Sequence, residues 1–437
     1  MMRKVKKWPI ISRNSYLTYF QRIILFIILA TLSACSSTRV LAPTPNAFAN
    51  GAYPQGDVPT AYRTAQAPIF YVSDRVAQQN QGILSYGTER SNSMAFGAST
   101  VAFGRNQSWQ SLSAASGSIK RPEKLPLNVV RNQELLRFNP TPTAFRVVNG
   151  RPVRETSAVK SYNAKRAQFQ ASVREQMRIA NKNEVVIFVH GFNNSFEDSI
   201  FAAADIWHFS GRRGVPIAYS WPAGAKGLLG YFKDRESGEF TVFHLKEFLL
   251  QLSQIPELEK IHIVAHSRGT DVTTTALREL IIAVRAQGKD PKQVLKIRNL
   301  VLAAPDLDFA VVRQRLIAEG FGASIGQITV YVNPGDTALG LAQAILTGER
   351  FGKLTHDQLQ KPEKTIFAEV KTVNFISIEG VKGLTGHAYF RTNRNVLSDI
   401  ATIIRTSALP GSPSRPLTNV EGNFWNMPVE YPLQKTN

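Results

Sequence analysis

The clearest signal in the chain is a series of short, almost uninterrupted apolar runs, each followed by a stretch with helical spacing. "EVVIFVHG" (184–191) precedes "SFEDSIFAAADIWHF" (195–209), where Ser195 and Asp198 have the spacing of a capping box. "VPIAYSW" (215–221) precedes a polar insertion and then "FTVFHLKEFLLQL" (240–252). "KIHIVAHS" (260–267) leads into "TDVTTTALRELIIAVRAQG" (270–288), which Gly288 can end. "NLVLAAPD" (299–306) and "QITVYVNPGD" (327–336) each lead into another helical run, and the β-rich "TIFAEVKTVNFISIEG" (365–380) precedes a closing helix at "NVLSDIATIIRT" (395–406). Strands that are apolar on both faces and alternate with helices predict a mostly parallel sheet covered by helices on both faces, the α/β class. Upstream, Phe169, Val173 and Met177 recur every fourth position and predict a helix. "APIFYVSD" (67–74) and "ASTVAFG" (98–104) predict early strands at a sheet edge.

The ends of the chain read differently. Residues 1–34 carry six basic residues, no acid and the apolar run "IILFIILATLSA" (23–34), too short to span a bilayer and suited to a signal-peptide core. "LSAC" (32–35) resembles the lipobox of bacterial lipoproteins, in which the cysteine is acylated and becomes the first residue. Cys35 is the only cysteine of the chain, so a disulfide framework is excluded and lipidation is its expected role. By resemblance to the lipoprotein sorting pattern, Ser36 after the cysteine implies the outer membrane of a bacterial envelope. Residues 35–66, rich in Pro, Gly, Ser and Asn, predict a flexible tether. A single catalytic domain is expected over 67–407 and an irregular tail over 408–437.

The 437 residues carry a formal charge of +20 and are 43% hydrophobic, enough for a substantial core. The basic residues are scattered, without an aromatic-interleaved stripe, so a nucleic-acid partner is not expected. Their charge suits solubility or an anionic lipid surface.

Chemistry is sought at the carboxyl ends of the strands, where loops and helix N-termini converge. "AHSRG" (265–269) resembles the nucleophile elbow G-x-S-x-G, with Ala265 in place of the first glycine, and makes Ser267 the candidate nucleophile. A serine hydroxyl needs a histidine to take its proton and a carboxylate to orient that histidine. If chain order follows the α/β-hydrolase order of serine, acid, histidine, only His356 and His387 remain, and His387 in the Gly-rich "GLTGHAYF" is the expected base. Asp306 and Asp336 both stand at strand ends. The superfamily's habit of taking its acid near the histidine loop implies Asp336, with Asp306 the alternative. The backbone N–H groups of Phe192, in "HGFNN", and of Arg268 are the expected oxyanion donors.

From residue 67 to 407 the chain resembles a bacterial family of α/β-hydrolases of unassigned physiological role, through "IFYVSDR", "VIFVHGFNNSFEDS", "YSWPA", "GYFKDRES", "VAHSRGT", "AAPDLD" and "GHAYF". That resemblance implies an esterase- or lipase-like serine hydrolase acting on a small-molecule or lipid ester, with no metal or organic cofactor. The residues leave open a scaffold that binds without turnover, and an acyltransferase or thioesterase with the same triad. The segment 222–238 is expected over the site as a lid or packed loop, fixed by an Asp234–Arg235 pair.

Overall fold

A computed structural model describes residues 39–225, 227–346, 348–378, 381 and 386–432. The segment expected to be a signal peptide, the candidate lipidation residue Cys35 and Ser36 lie outside the described residues. The strands are β1 (Gln66–Asn80), β2 (Ile83–Phe103), β3 (Leu127–Arg137), β4 (Phe145–Val148), β5 (Arg151–Arg154), β6 (Glu184–Val189) and β7 (Val215–Ser220). They continue with β8 (Lys260–His266), β9 (Ile297–Ala303), β10 (Gln327–Val332), β11 (Val373–Ile378), β12 (Thr418–Glu421) and β13 (Phe424–Met427). All but β4 and β5, which form a separate exposed hairpin, join one eleven-stranded sheet in the order β12-β13-β11-β10-β9-β8-β6-β7-β1-β2-β3. From β13 across to β1 every neighbouring pair is parallel, and the antiparallel pairs sit at the two edges.

Alternation within the apolar runs supplies both faces. In β6, Val185, Ile187 and Val189 point to one core, and Val186 and Phe188 to the other. The first core is closed by three helices, α1 (Thr156–Ala180), α3 (Gly227–Ser253) and α4 (Arg268–Arg285), through residues such as Phe169, Leu245 and Val272. The second is closed by α2 (Phe196–Phe209) and α5 (Arg394–Thr406), through Ile200 and Ile400. Each such side chain contributes roughly 1.5–3 kcal/mol by leaving water. The Ser195–Asp198 capping box at the start of α2 is formed as the spacing predicts.

Four expectations are corrected. The stretch 39–66 is not a flexible tether: Leu41, Phe48, Tyr53, Val58 and Tyr62 are buried in the second core, and short 3-10 turns carry the chain between them. The last stretch is not an irregular tail. Its β13 pairs in parallel with β11, Tyr431 is buried, and Arg415 makes a fully buried bidentate ion pair with Asp399. "TIFAE" is the end of a helix, Lys361–Glu369, opened by a proline and a Gln360–Glu363 capping box, and only Val373–Ile378 is strand. Residues 227–238 are neither a free lid nor a loop but the first turns of α3.

Candidate active site

Because β6, β7 and β8 are parallel, the N-termini of the helices that follow them, α2, α3 and α4, gather at one edge of the sheet. Ser267 joins β8 to α4 with φ 52° and ψ −126°, a conformation that an L-residue adopts at a cost of roughly 1–3 kcal/mol. The surroundings hold it there. Its N–H donates to Ala303 O at 2.9 Å, and its carbonyl accepts from the Thr270 N–H at 3.0 Å and the Thr270 hydroxyl at 2.6 Å. Close approach on both sides demands glycine. A Cβ at Gly269 would overlap the His190 carbonyl oxygen, and one at Gly191 would lie 2.6 Å from Ser267 Cβ. Ala265 is buried within β8, so a methyl group is accommodated where the elbow pattern usually has glycine.

The structure brings Ser267, His387 and Asp336 into one chain of hydrogen bonds. His387 Nε2 is 2.8 Å from Ser267 Oγ, and His387 Nδ1 is 2.8 Å from Asp336 Oδ2. Asp336 is fully buried, and its other oxygen accepts the Leu339 N–H at 3.0 Å. A carboxylate that only accepts fixes the proton of His387 on Nδ1, which leaves Nε2 free to take the serine proton. Asp306, the alternative acid, adjoins the nucleophile through its N–H, which donates to Ser267 O at 3.4 Å, but its carboxylate is engaged by other groups: Oδ2 accepts from the Tyr231 hydroxyl at 2.7 Å, and Arg350 Nη1 is 3.6 Å from Oδ1. Burial and the neighbouring Asp306 charge push the Tyr231 phenol well above its ordinary pKa, so it stays a donor. His356 is remote from this chain, beside Glu421 and Phe424.

The N–H groups of Phe192 and Arg268 donate to no partner among the described residues. The loop bearing Phe192 is held by two groups that sequence reasoning missed or misassigned. Arg75, fully buried, donates to Asn194 O at 2.9 Å, Ala223 O at 2.8 Å, Gly87 O at 2.9 Å and His190 Nε2 at 3.3 Å. Burial lowers its pKa to about 10, which leaves it charged at neutral pH. Burial and the Arg75 charge hold His190 well below its ordinary pKa, so it is a neutral bridge, stacked on Trp221. Asp234 does not pair with Arg235, which is exposed; it accepts the N–H groups of Asn193 at 3.0 Å, Gly224 at 3.1 Å and Ala225 at 3.2 Å. Arg75 carried no signal beyond its place in "IFYVSDR", because a lone arginine after a strand gives no hint of burial.

The histidine loop is braced from below. Asn333 Nδ2 donates to Gly386 O at 2.9 Å and Val381 O at 3.1 Å. The arrangement can deprotonate a serine hydroxyl and offer two N–H groups to an oxyanion beside it.

No curated protein matches this chain. Among solved structures it is similar to "Pyrobaculum calidifontis esterase monoclinic form", at 14% identity over 57% of this chain and 94% of that one, with a TM-score of 0.29. It is also similar to a lipase-esterase related protein from Clostridium acetobutylicum ATCC 824, at 10% identity over 49% of this chain and 84% of that one, with a TM-score of 0.22. Residues 165–406, more than half of the chain, match the family described as "Alpha/beta hydrolase of unknown function (DUF900)", and the protein belongs to that family.

Proposed function

We propose that the protein is a serine hydrolase of carboxylic esters, held in the bacterial cell envelope, at the outer membrane, by acylated Cys35. The observation that carries the catalytic reading is the pair of 2.8 Å contacts linking Ser267 Oγ, His387 and Asp336. His387 Nε2 takes the Ser267 proton as Oγ bonds to the ester carbonyl carbon, and the carbonyl π pair moves onto oxygen. The N–H groups of Phe192 and Arg268 receive that oxyanion; removing one such donor elsewhere costs about 2.7–4 kcal/mol of barrier. The tetrahedral adduct collapses, the C–O bond to the alcohol breaks, and His387 protonates the leaving oxygen. Water, deprotonated by His387, then attacks the acyl-serine, releasing the acid and restoring the Ser267 hydroxyl. Asp336 holds the Nδ1 proton throughout and stabilises the transient imidazolium.

A fluorophosphonate probe tests this reading on the folded protein. Ser267-dependent labelling, lost in Ser267→Ala, is expected. Equal labelling of both proteins, or none of either, overturns it. The anchor is tested by Cys35→Ala, expected to leave the membrane fraction.

A further inference from the structure

We propose that Tyr231 sets the length of acyl chain that Ser267 accepts, and that the substrates are esters of short-chain acids. This rests on the proposed serine chemistry and adds to it a substrate class and the residue that selects it.

Two close approaches define what stands beside the nucleophile. A Cβ at Gly191 would lie 2.6 Å from Ser267 Cβ, and the Asp306 N–H donates to the Ser267 carbonyl at 3.4 Å. Tyr231, in the first turns of α3, touches the side chains next to both contacts. Its hydroxyl donates to Asp306 Oδ2 at 2.7 Å, and its ring meets that of Phe192, the residue after Gly191, edge-on with centroids 5.4 Å apart. An aromatic pair therefore spans the space between the two loops that flank Ser267.

The span is held at both ends. Asp234, three residues further along α3, accepts the N–H groups of Asn193, Gly224 and Ala225, which ties the start of the helix to the Phe192 loop. At the other end Asp306 is buried, with Arg350 Nη1 3.6 Å from the oxygen that Tyr231 does not use. The phenol stays protonated, so it keeps its donated bond at neutral pH.

Which end of an ester meets this wall follows from where His387 stands. The His387 ring packs on that of His266, with centroids 4.9 Å apart, and His266 packs on Phe390, a member of the second core. Tyr231 belongs to α3, which covers the first. Base and aromatic wall thus flank Ser267 from opposite faces of the sheet. His387 protonates the leaving alcohol, so the alcohol lies on its side and the acyl chain points toward Phe192 and Tyr231. A ring fixed at both ends does not move aside for a long chain, and a pocket wall of this kind discriminates by roughly 10- to 200-fold per methylene.

The test compares kcat/KM for p-nitrophenyl acetate and p-nitrophenyl octanoate in the folded full-length protein. The wild type should favour acetate by about a hundredfold or more. Tyr231→Ala should raise the octanoate-to-acetate ratio about tenfold or more, and Tyr231→Phe, which keeps the ring and loses its tie to Asp306, by about two- to fivefold. Ethyl and octyl acetate, which vary only the alcohol, should keep their ratio in both variants. A purely structural role for Tyr231 would move all four esters together. Should Tyr231→Ala fail to fold, Tyr231→Phe decides alone. A wild type that prefers octanoate, an acyl ratio unchanged in both variants, or an equal change in the alcohol series overturns the proposal. Failure of the serine chemistry is seen separately, as a wild type that neither labels at Ser267 nor turns over any of these esters, and it removes this reading as well.

Discussion

The imidazole of His266 donates from Nε2 to the backbone carbonyl of His387, 3.0 Å away. The residue next to the nucleophile in sequence thus supports the loop that presents the proposed base. Phe390 packs on the same ring at 4.4 Å, and burial together with the His387 charge lowers the His266 pKa to about 3. His266 is therefore neutral under ordinary conditions, with its Nε2 proton committed to that carbonyl.

His266→Ala should lower kcat on a soluble ester about ten- to a hundredfold with little change in KM, because a misplaced base slows proton transfer without altering binding. His266→Gln, which keeps a donor, should recover part of the loss. An unchanged kcat in the folded His266→Ala protein would mean that Asn333 alone sets the loop.

Asp336→Asn should cost roughly a thousand- to ten-thousandfold in kcat, since an amide no longer enforces the Nδ1 proton of His387. Asp306→Asn, which faces Tyr231 and Arg350, should cost about tenfold or less. The reverse order would reassign the acid.

Gly269→Ala should destabilise the fold by about 3–5 kcal/mol in urea unfolding, because its methyl group meets the backbone of β6 rather than a side chain that can move. Ala265→Gly, at the position where the elbow pattern usually has glycine, should cost only about 1 kcal/mol. Similar unfolding midpoints for the two variants would contradict the close approach.

Burial holds His190, His208, His262 and His266 below their ordinary pKa; nearby positive groups add to the shift at His190, His208 and His266, while Glu184 opposes it at His262. Below about pH 6.5 the unfolded chain takes up protons that the folded one refuses, so stability should fall as pH drops through 6 and continue falling toward 3. Asp205, kept protonated up to about 7 by burial, and Asp234, whose pKa burial also raises, work the other way, two groups against four. Urea midpoints at pH 7.5 and 5.5 check the sign; a higher midpoint at 5.5 would refute it.

Arg415→Ala leaves the Asp399 carboxylate buried without its guanidinium and should cost about 3–5 kcal/mol by thermal or urea unfolding. A loss below 1 kcal/mol would fit the irregular tail expected from composition.

The central strands were legible because β6 to β10 are apolar on both faces, a pattern that a covered parallel sheet imposes and a loop does not. The Ser267 turn was legible for a related reason: Gly269 and the small Ala265 mark where backbones crowd. The chain ends were not. Leu41, Phe48, Tyr53, Val58 and Tyr62 lack any helical or strand period, since each is delivered singly by an irregular turn. "TIFAE" misled through its β-branched and aromatic residues, while the proline and capping box that decide for helix lie just upstream. Arg75 and Asn333 act by bonding backbone carbonyls, and carbonyls are the same in every residue.

Asn46 Nδ2 donates to Asn395 Oδ1 and to the carbonyl of Tyr431, and Ala47 N–H donates to Ser398 Oγ. The first described segment and the last thus clasp the same helix. A ribosome releasing this polypeptide sets free Leu41 long before Tyr431, so the second core stays unsealed until synthesis is nearly over. Neither terminus can therefore be trimmed without opening that core to water.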